Sequence, residues 1–390
     1  MAAAMFSVAW GGNEFTPLLV HYRSLDHFSP LTVNVLLGAY VLGIVPAMLL
    51  GGPLSDRHGR RPLMLPAPVL ALAGSLVLAV GSHAEAVLFA GRVLSGLSLG
   101  LAMAVGTSWL KELSQAPFDP HADPGAGARR AAVSLSAGFG LGAGAAALLA
   151  QFSPLPGQLP YLAHAVVTLP ALAALLRAPE PRRARAAGRL RDDLRVPAAG
   201  QRRFLLAVLP AAPWIFGCAV SAYAILPGLM IGRVRGLDVA FAGLLCLVGL
   251  GCGVAVQGLG RRIDRPGTAR GTIAGLAVAI PGMALAAWVA LVRDPWLSLA
   301  AAAVLGCGYG LLLVSGLLEV QRMARPGELA GLTAVFYSLS YLGFLIPAIL
   351  SALHAWFDYP VMFAAGAVIA SGCLGLVALA DRGSTAPRGS

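Results

Sequence analysis

Gly52-Pro53-Leu54-Ser55-Asp56-Arg57-His58-Gly59-Arg60-Arg61 is a tight, charged turn between two long apolar segments. Charge is expensive inside a bilayer, so such a cluster marks a membrane face. The rest of the 390-residue chain is built to match. It is 58% hydrophobic and 12% charged, with mean hydropathy +0.78. A soluble domain carries roughly 25% charged residues. The apolar runs are too many and too long for buried helices, since a membrane span needs about 20 residues. The composition therefore describes a polytopic, all-α membrane protein.

Twelve spans are expected, over residues 2–21, 31–52, 63–82, 85–112, 130–152, 159–177, 204–231, 238–260, 269–291, 296–321, 328–352 and 359–380. They group into an N-terminal six-helix bundle at 1–177 and a C-terminal one at 204–380. An Arg- and Pro-rich linker at 178–203 joins them, and a short tail follows at 381–390. No cleavable signal is expected, because Met1-Ala-Ala-Ala-Met5 has no basic region.

A net charge of +11 raises the possibility of nucleic acid, but the charges are placed for topology. Of the 28 Lys and Arg residues, Arg23, Arg233, Arg235 and Arg293 fall on one side of the spans and Arg92 lies within one. The others all fall on the opposite side. That asymmetry predicts a multi-pass plasma (inner) membrane protein with both termini cytoplasmic. The linker reads as a solvated segment near anionic headgroups, with a short surface helix at 185–195. The five cysteines, Cys218, Cys246, Cys252, Cys307 and Cys373, lie in apolar segments without metal-like spacing and read as packing residues. No metal, cofactor or nucleic-acid partner is expected, and the chain is expected to be a monomer.

The halves resemble each other. Gly52-Pro-Leu-Ser-Asp56-Arg57 has a worn counterpart in Gly260-Arg-Arg-Ile-Asp264-Arg265, 208 residues on. Gly100-Leu-Ala-Met-Ala-Val-Gly106 matches Gly310-Leu-Leu-Leu-Val-Ser-Gly316 at an offset of 210. Near-constant offsets point to a duplicated six-span unit.

The 52–61 string resembles the signature loop between spans 2 and 3 of the major facilitator superfamily, G-x-L-a-D-r-x-G-r-k, with Arg61 in the Lys/Arg slot. Leu88-Phe-Ala-Gly-Arg92-Val-Leu-Ser-Gly96 resembles its span-4 signature l-x-x-x-R-x-x-q-G, with Ser95 in place of Gln. Gly138-Phe-Gly-Leu-Gly142-Ala-Gly144 partly resembles the span-5 antiporter signature, with Ala143 where Pro would stand. The resemblance implies two pseudo-symmetric six-helix bundles that rock about a central substrate site. It also implies that Gly52, Asp56, Arg57, Gly59, Arg60 and Arg61 act as a conformational gate. Glu112, at the inner end of span 4, is expected to pair with these arginines. Asp56 is expected to pair with an Arg and to lie against a helix N-terminus, with the first turn of span 11 as a possible partner. Plain positive-inside topology is the competing reading of the loop. Glu319 is expected to pair locally with Arg322.

Glu14 lies within span 1, in Trp10-Gly-Gly-Asn-Glu-Phe-Thr-Pro17, about 18 Å along the helix from residue 2. An intramembrane carboxyl is a functional candidate by default, because burial favours its protonated form. Arg92 lies about 10 Å inside the outer face and is the expected partner. Together they would form a proton-coupling pair. The competing readings are an inert Glu–Arg pair and an Arg92 that reaches the outer headgroups. Candidate substrate-cavity residues are Asn13, Thr16, Asn34, Tyr40, Trp214, Tyr223, Phe336, Tyr337 and Tyr341, where aromatic rings with few polar groups suit an amphipathic molecule.

The expected function is proton-coupled efflux of a small amphipathic compound or drug by secondary transport. Uptake or facilitated diffusion of a polar metabolite is the alternative, and a non-transporting sensor is a third reading. No catalytic residue is expected. The histidines, His21, His27, His58, His83, His121, His164 and His354, show no ligand spacing and fall mostly at span ends.

Overall fold

A computed structural model describes residues 1–24, 27–81, 84–123, 125–181, 190–325 and 327–385. It is all-helical over these residues, and the chain divides into two compact units, Met1–Arg195 and Val196–Ser390. Eleven helices are long and apolar enough to cross a membrane. They supply spans 2 to 12 of the expected twelve.

Span 1 is the exception. The continuous helix expected over 2–21 is two helices, Ala2–Asn13 and Phe15–Ser24, with Glu14 in the turn between them. Pro17 has no N–H to return to the Asn13 carbonyl, so the ladder lapses there. The Thr16 hydroxyl donates to Asn13 Oδ1 at 2.8 Å instead.

Span 2, Pro30–His58, runs six residues past its expected end and absorbs most of the charged turn. The connection to span 3, Arg60–Val80, is the single residue Gly59. Its φ of +98° is open to glycine and strained for other residues. Spans 4, 5 and 6 are Glu85–Leu113, Ala126–Phe152 and Leu159–Leu176.

Small residues set the closest approaches within unit 1. A Cβ on Gly96 of span 4 would lie 2.1 Å from the Tyr40 carbonyl oxygen of span 2. The span-5 glycines meet span 1 in the same manner, with Gly138 over the Phe6 carbonyl and Gly142 over the Trp10 carbonyl. In a bilayer, where lipid is as apolar as leucine, such backbone approach supplies packing that hydrophobicity does not.

Unit 2 contains Phe204–Leu229, Asp238–Ile263, Arg270–Val292, Pro295–Met323, Leu329–Leu353 and Tyr359–Arg382 as spans 7 to 12. Gly310 of span 10 abuts the Gly253 carbonyl of span 8, as Gly100 of span 4 abuts the Ile44 carbonyl of span 2. The two glycines paired by sequence repeat therefore make corresponding contacts. The core of unit 2 gathers Leu226, Leu245, Met283, Leu305 and Phe363. Large apolar side chains stay exposed along the helices, among them Leu141, Val166, Leu291 and Val368. Exposure on that scale belongs to a lipid-facing surface.

The linker expected at 178–203 is tied down at its described ends. Ala178 to Pro181 lie on unit 1, where the Trp109 indole donates to the Pro179 carbonyl at 3.0 Å. At the other end, the Ala198 amide donates to Glu328 at 3.2 Å within unit 2. Among the described residues of the expected 185–195 segment, Leu190–Asp193 forms a single helical turn. Residues 182–189 lie outside the described residues.

Candidate functional site: a buried carboxyl and a charged turn

Two polar clusters of unit 1 gather the residues that the sequence singles out. The first surrounds the 52–61 turn. Arg60 is its hub. Its guanidinium contacts Glu112 of span 4 at 2.7 Å, Asp56 one helical turn back at 2.8 Å and the Ser55 hydroxyl at 2.6 Å. Glu112 is thus the partner of these arginines, through Arg60. Arg57 pairs with Asp193 at 2.6 Å, and Arg61 donates to the Leu176 carbonyl at 2.7 Å.

The N-terminus of span 3, within this cluster, is occupied by a carboxylate that was not anticipated there. Glu180 accepts from the backbone amides of Arg60 at 3.1 Å and Arg61 at 2.7 Å. It sits where the first-turn N–H groups of span 3 have no helical partner, at the positive end of the helix dipole. Glu180 lies in a segment that reads as solvated linker, so no local signal marked it. Gly52 differs from Gly59. A Cβ there would meet nothing within 4 Å, so no close packing within unit 1 requires a glycine.

Unit 2 holds a rearranged counterpart of this cluster. Asp264, the repeat partner of Asp56, forms an ion pair with Arg322. Arg322 also contacts Glu319 at 3.2 Å, three residues away, as its sequence spacing predicts. Glu319 in turn binds Arg203 at 2.7 Å. Each unit places one Arg between an Asp and a Glu, but the Arg comes from the turn in unit 1 and from span 10 in unit 2.

The second cluster centres on Glu14, which is fully buried. The pairing with Arg92 does not form, since the two share no ion pair. Glu14 Oε1 instead accepts from the Ser75 hydroxyl of span 3 at 2.7 Å. Ser75 Oγ is also 2.7 Å from His164 Nδ1 of span 6. His164 Nε2 lies 2.9 Å from the Ser7 carbonyl and 2.9 Å from Thr168 Oγ1. Glu14 Oε2 has no hydrogen-bond partner among the described residues. Gly11 makes room for this arrangement, because a Cβ there would lie 2.5 Å from the His164 ring.

Ser75, His164, Thr168 and Ser7 are the residues that sequence reasoning missed. A faint signal existed. His164 and Thr168 are polar, four apart and inside an apolar span, so they share a helix face.

Arg92 is also fully buried, which removes the reading in which it reaches the headgroups. Its guanidinium carbon lies 4.5 Å from the Phe15 ring centroid and 4.3 Å from that of Tyr40. The two rings sandwich the cation, an arrangement worth about 2 kcal/mol or more when desolvated. Nε reaches the Leu36 carbonyl at 3.4 Å. Tyr22 and Tyr161 meet hydroxyl to hydroxyl at 2.8 Å nearby. The field of Arg92 still reaches Glu14 without contact.

The expected cavity residues divide. Asn13, Thr16, Asn34 and Tyr40 are buried in unit 1. Asn13 donates to the Phe139 carbonyl at 3.1 Å, and Tyr40 serves Arg92. In unit 2, Phe336 fills the notch over Gly316, where a Cβ would approach its ring to 2.5 Å. Tyr341 is stacked on Phe216 at 4.4 Å between centroids. These two are engaged in packing within unit 2. Tyr337 packs edge-on against Phe336, Tyr223 is buried and Trp214 leans on the unit-2 core.

Comparison with known proteins places this architecture. A crystal structure of a POT family transporter in complex with 5-aminolevulinic acid superposes with a TM-score of 0.75 at 13% identity, covering 98% of this chain and 96% of the other. The human organic anion transporter MFSD10 superposes with a TM-score of 0.64 at 19% identity, covering 96% and 98%. At these identities the likeness is one of fold. Among curated proteins, YfiG of Bacillus subtilis, whose name carries metabolite transport, is 33% identical over 104 residues, which is 27% of this chain and 21% of YfiG. The multidrug resistance protein MdtL of Escherichia coli is 30% identical over 84 residues, 22% of this chain and 21% of MdtL. The chain thus spans about a fifth of the length of the curated relatives it matches. The Major Facilitator Superfamily family model matches residues 1–348. With its apolar helices, signature turn and fold, this multi-pass membrane chain belongs to the Major Facilitator Superfamily.

Proposed function

We propose that this protein is a secondary transporter that exports a small amphipathic organic compound by alternating access, driven by protons. The observation that carries the reading is Glu14. It is a carboxyl in a broken transmembrane helix, fully buried, with one oxygen unpartnered. A carboxyl held out of water without a cationic contact is suited to taking up a proton and giving it back when water returns. The likeness to MdtL, a multidrug resistance protein by name, supports a drug-like compound as the substrate, and Tyr40, Asn13 and Thr16, buried in the same unit as Glu14, are the candidate contacts for it. The 52–61 turn acts as the gate, with Arg60 as its hub and Glu112 and Glu180 as its partners. The excess of Arg on the side of that turn supports an inner-membrane orientation with both termini in the cytoplasm. The likeness to YfiG, a metabolite transport protein by name, supports the alternative of a polar metabolite as the substrate.

Proteoliposomes with an imposed pH gradient test the proposal, with ethidium as the probe. The unsubstituted protein accumulates the dye against its gradient. Glu14→Gln abolishes accumulation but retains dye exchange without a gradient. Undiminished gradient-driven accumulation by Glu14→Gln removes Glu14 from the coupling role. Dye movement without proton movement identifies facilitated diffusion.

A further inference from the structure

The buried cluster around Glu14 has fewer hydrogens than acceptors. The Ser7 carbonyl oxygen can only accept, the Thr168 hydroxyl can donate or accept, and both lie 2.9 Å from His164 Nε2; a hydrogen on Nε2 is the arrangement compatible with both contacts. In a neutral ring, Nδ1 is then a bare acceptor. His164 Nδ1 and Glu14 Oε1 each lie 2.7 Å from Ser75 Oγ. That hydroxyl has a single hydrogen. With Glu14 ionised and His164 neutral, two acceptors compete for it, and one contact sets lone pair against lone pair in a dry interior. Leaving such a group unpaired costs about 1–3 kcal/mol or more.

One added proton resolves the conflict in either of two arrangements. Glu14 Oε1–H donates to Ser75 Oγ while Ser75 O–H donates to His164 Nδ1. Alternatively, His164 Nδ1–H donates to Ser75 Oγ while Ser75 O–H donates to the Glu14 carboxylate. The first converts to the second by a balanced relay. The Glu14 O–H bond breaks as a new Ser75 O–H bond forms, and the original Ser75 O–H bond breaks as Nδ1–H forms. The unpartnered and fully buried Glu14 Oε2 favours the first arrangement, since an ionised carboxylate would leave an anionic oxygen bare.

We infer that Glu14, Ser75 and His164 form one shared proton site, in which the Ser75 hydroxyl relays a single proton between carboxyl and imidazole. This rests on the proton-coupling reading of Glu14 and assigns its partners. The charged or titratable groups that face the site are Arg92 on span 4, Tyr40 on span 2, Tyr22 on the second half of span 1 and Tyr161 on span 6. Loss of the proton turns the Ser75 hydroxyl to Glu14 alone and frees His164 Nδ1 from span 3. Protonation is thereby linked to the packing of spans 1, 3 and 6.

The test uses the full chain in lipid nanodiscs with ¹⁵N-labelled histidine, titrated with pH and without any transported ligand. Two signals are followed: the His164 Nδ1 resonance, assigned by its loss in His164→Gln, and the Glu14 carboxyl infrared band, assigned by its loss in Glu14→Gln. Both are expected to change with one midpoint. Ser75→Ala is expected to separate the two midpoints and to move that of Glu14 by about one pH unit or more. Ser98→Ala, which removes a hydroxyl bonded to the Ala67 carbonyl at 2.7 Å, is expected to leave both in place. An Nδ1 resonance that stays constant through the Glu14 midpoint overturns the inference, as does a Ser75→Ala protein in which both midpoints are unmoved. Should Ser75→Ala not fold, the two signals of the unsubstituted protein decide alone. Shared midpoints together with intact gradient-driven transport in Glu14→Gln leave the proton site standing and remove the coupling role.

Discussion

Glu180 seats its carboxylate against Gly59: a Cβ on Gly59 would lie 2.8 Å from Glu180 Oε2, at a backbone φ of +98°. Two independent constraints therefore fall on one residue. Gly59→Ala is expected to destabilise the protein by about 1–3 kcal/mol through backbone strain and displacement of Glu180. Gly52 belongs to the same signature, yet it lies in a regular helix with open space around it. Gly52→Ala is expected to leave stability unchanged or slightly raised, because alanine is the better helix former. Thermal unfolding of the two variants in one detergent compares them directly. Equal destabilisation would show that Gly52 has a packing role.

The Arg60–Glu112 pair invites a double-mutant cycle. Arg60 is nearly buried and meets Glu112 through both Nε and Nη2. Removing Arg60 leaves Glu112 without this partner, while removing Glu112 leaves Arg60 its contacts to Asp56 and Ser55. The coupling free energy between Arg60→Ala and Glu112→Ala is expected to be about 1.5–3 kcal/mol. A value near zero would reduce the contact to a surface ion pair.

Gly11→Ala probes the space kept for His164. The new methyl would come within 2.5 Å of the imidazole and force the ring off Ser75. Overpacking of this kind costs about 1–3 kcal/mol. The variant is expected to melt earlier and to lose gradient-driven dye accumulation. Normal melting with normal accumulation would mean that the ring position is not critical.

Arg92→Lys keeps the charge but not the flat guanidinium between Phe15 and Tyr40. Lysine cannot stack on two rings at once. The expected loss is about 2 kcal/mol of stability, read by thermal unfolding. The same substitution in a Phe15→Leu background is expected to cost less, since one face of the sandwich is already gone. Equal cost in both backgrounds would separate Arg92 from the rings.

The amino-acid sequence by itself determined the membrane class and the positions of spans 2 to 12, because span length and charge placement are local properties with large energies. It also located the 52–61 turn and the repeat, whose glycines at 100 and 310 make corresponding contacts in their units. Glu14 was visible for the same reason, as a carboxyl in an apolar run. Its partners were not, because Ser75 and His164 lie 61 and 150 residues away in sequence. Which residues meet depends on how the helices rotate and pack, and a lone Ser or His in a span carries little local signal. Tertiary structure alone replaced Arg92 by Ser75 and His164 beside Glu14. It placed Arg92 between two rings and put Glu180, from the linker, on the N-terminus of span 3. The charged turn that marked the fold proved to be mostly helix. Its one irregular residue, Gly59, is where backbone geometry and a distant carboxylate coincide.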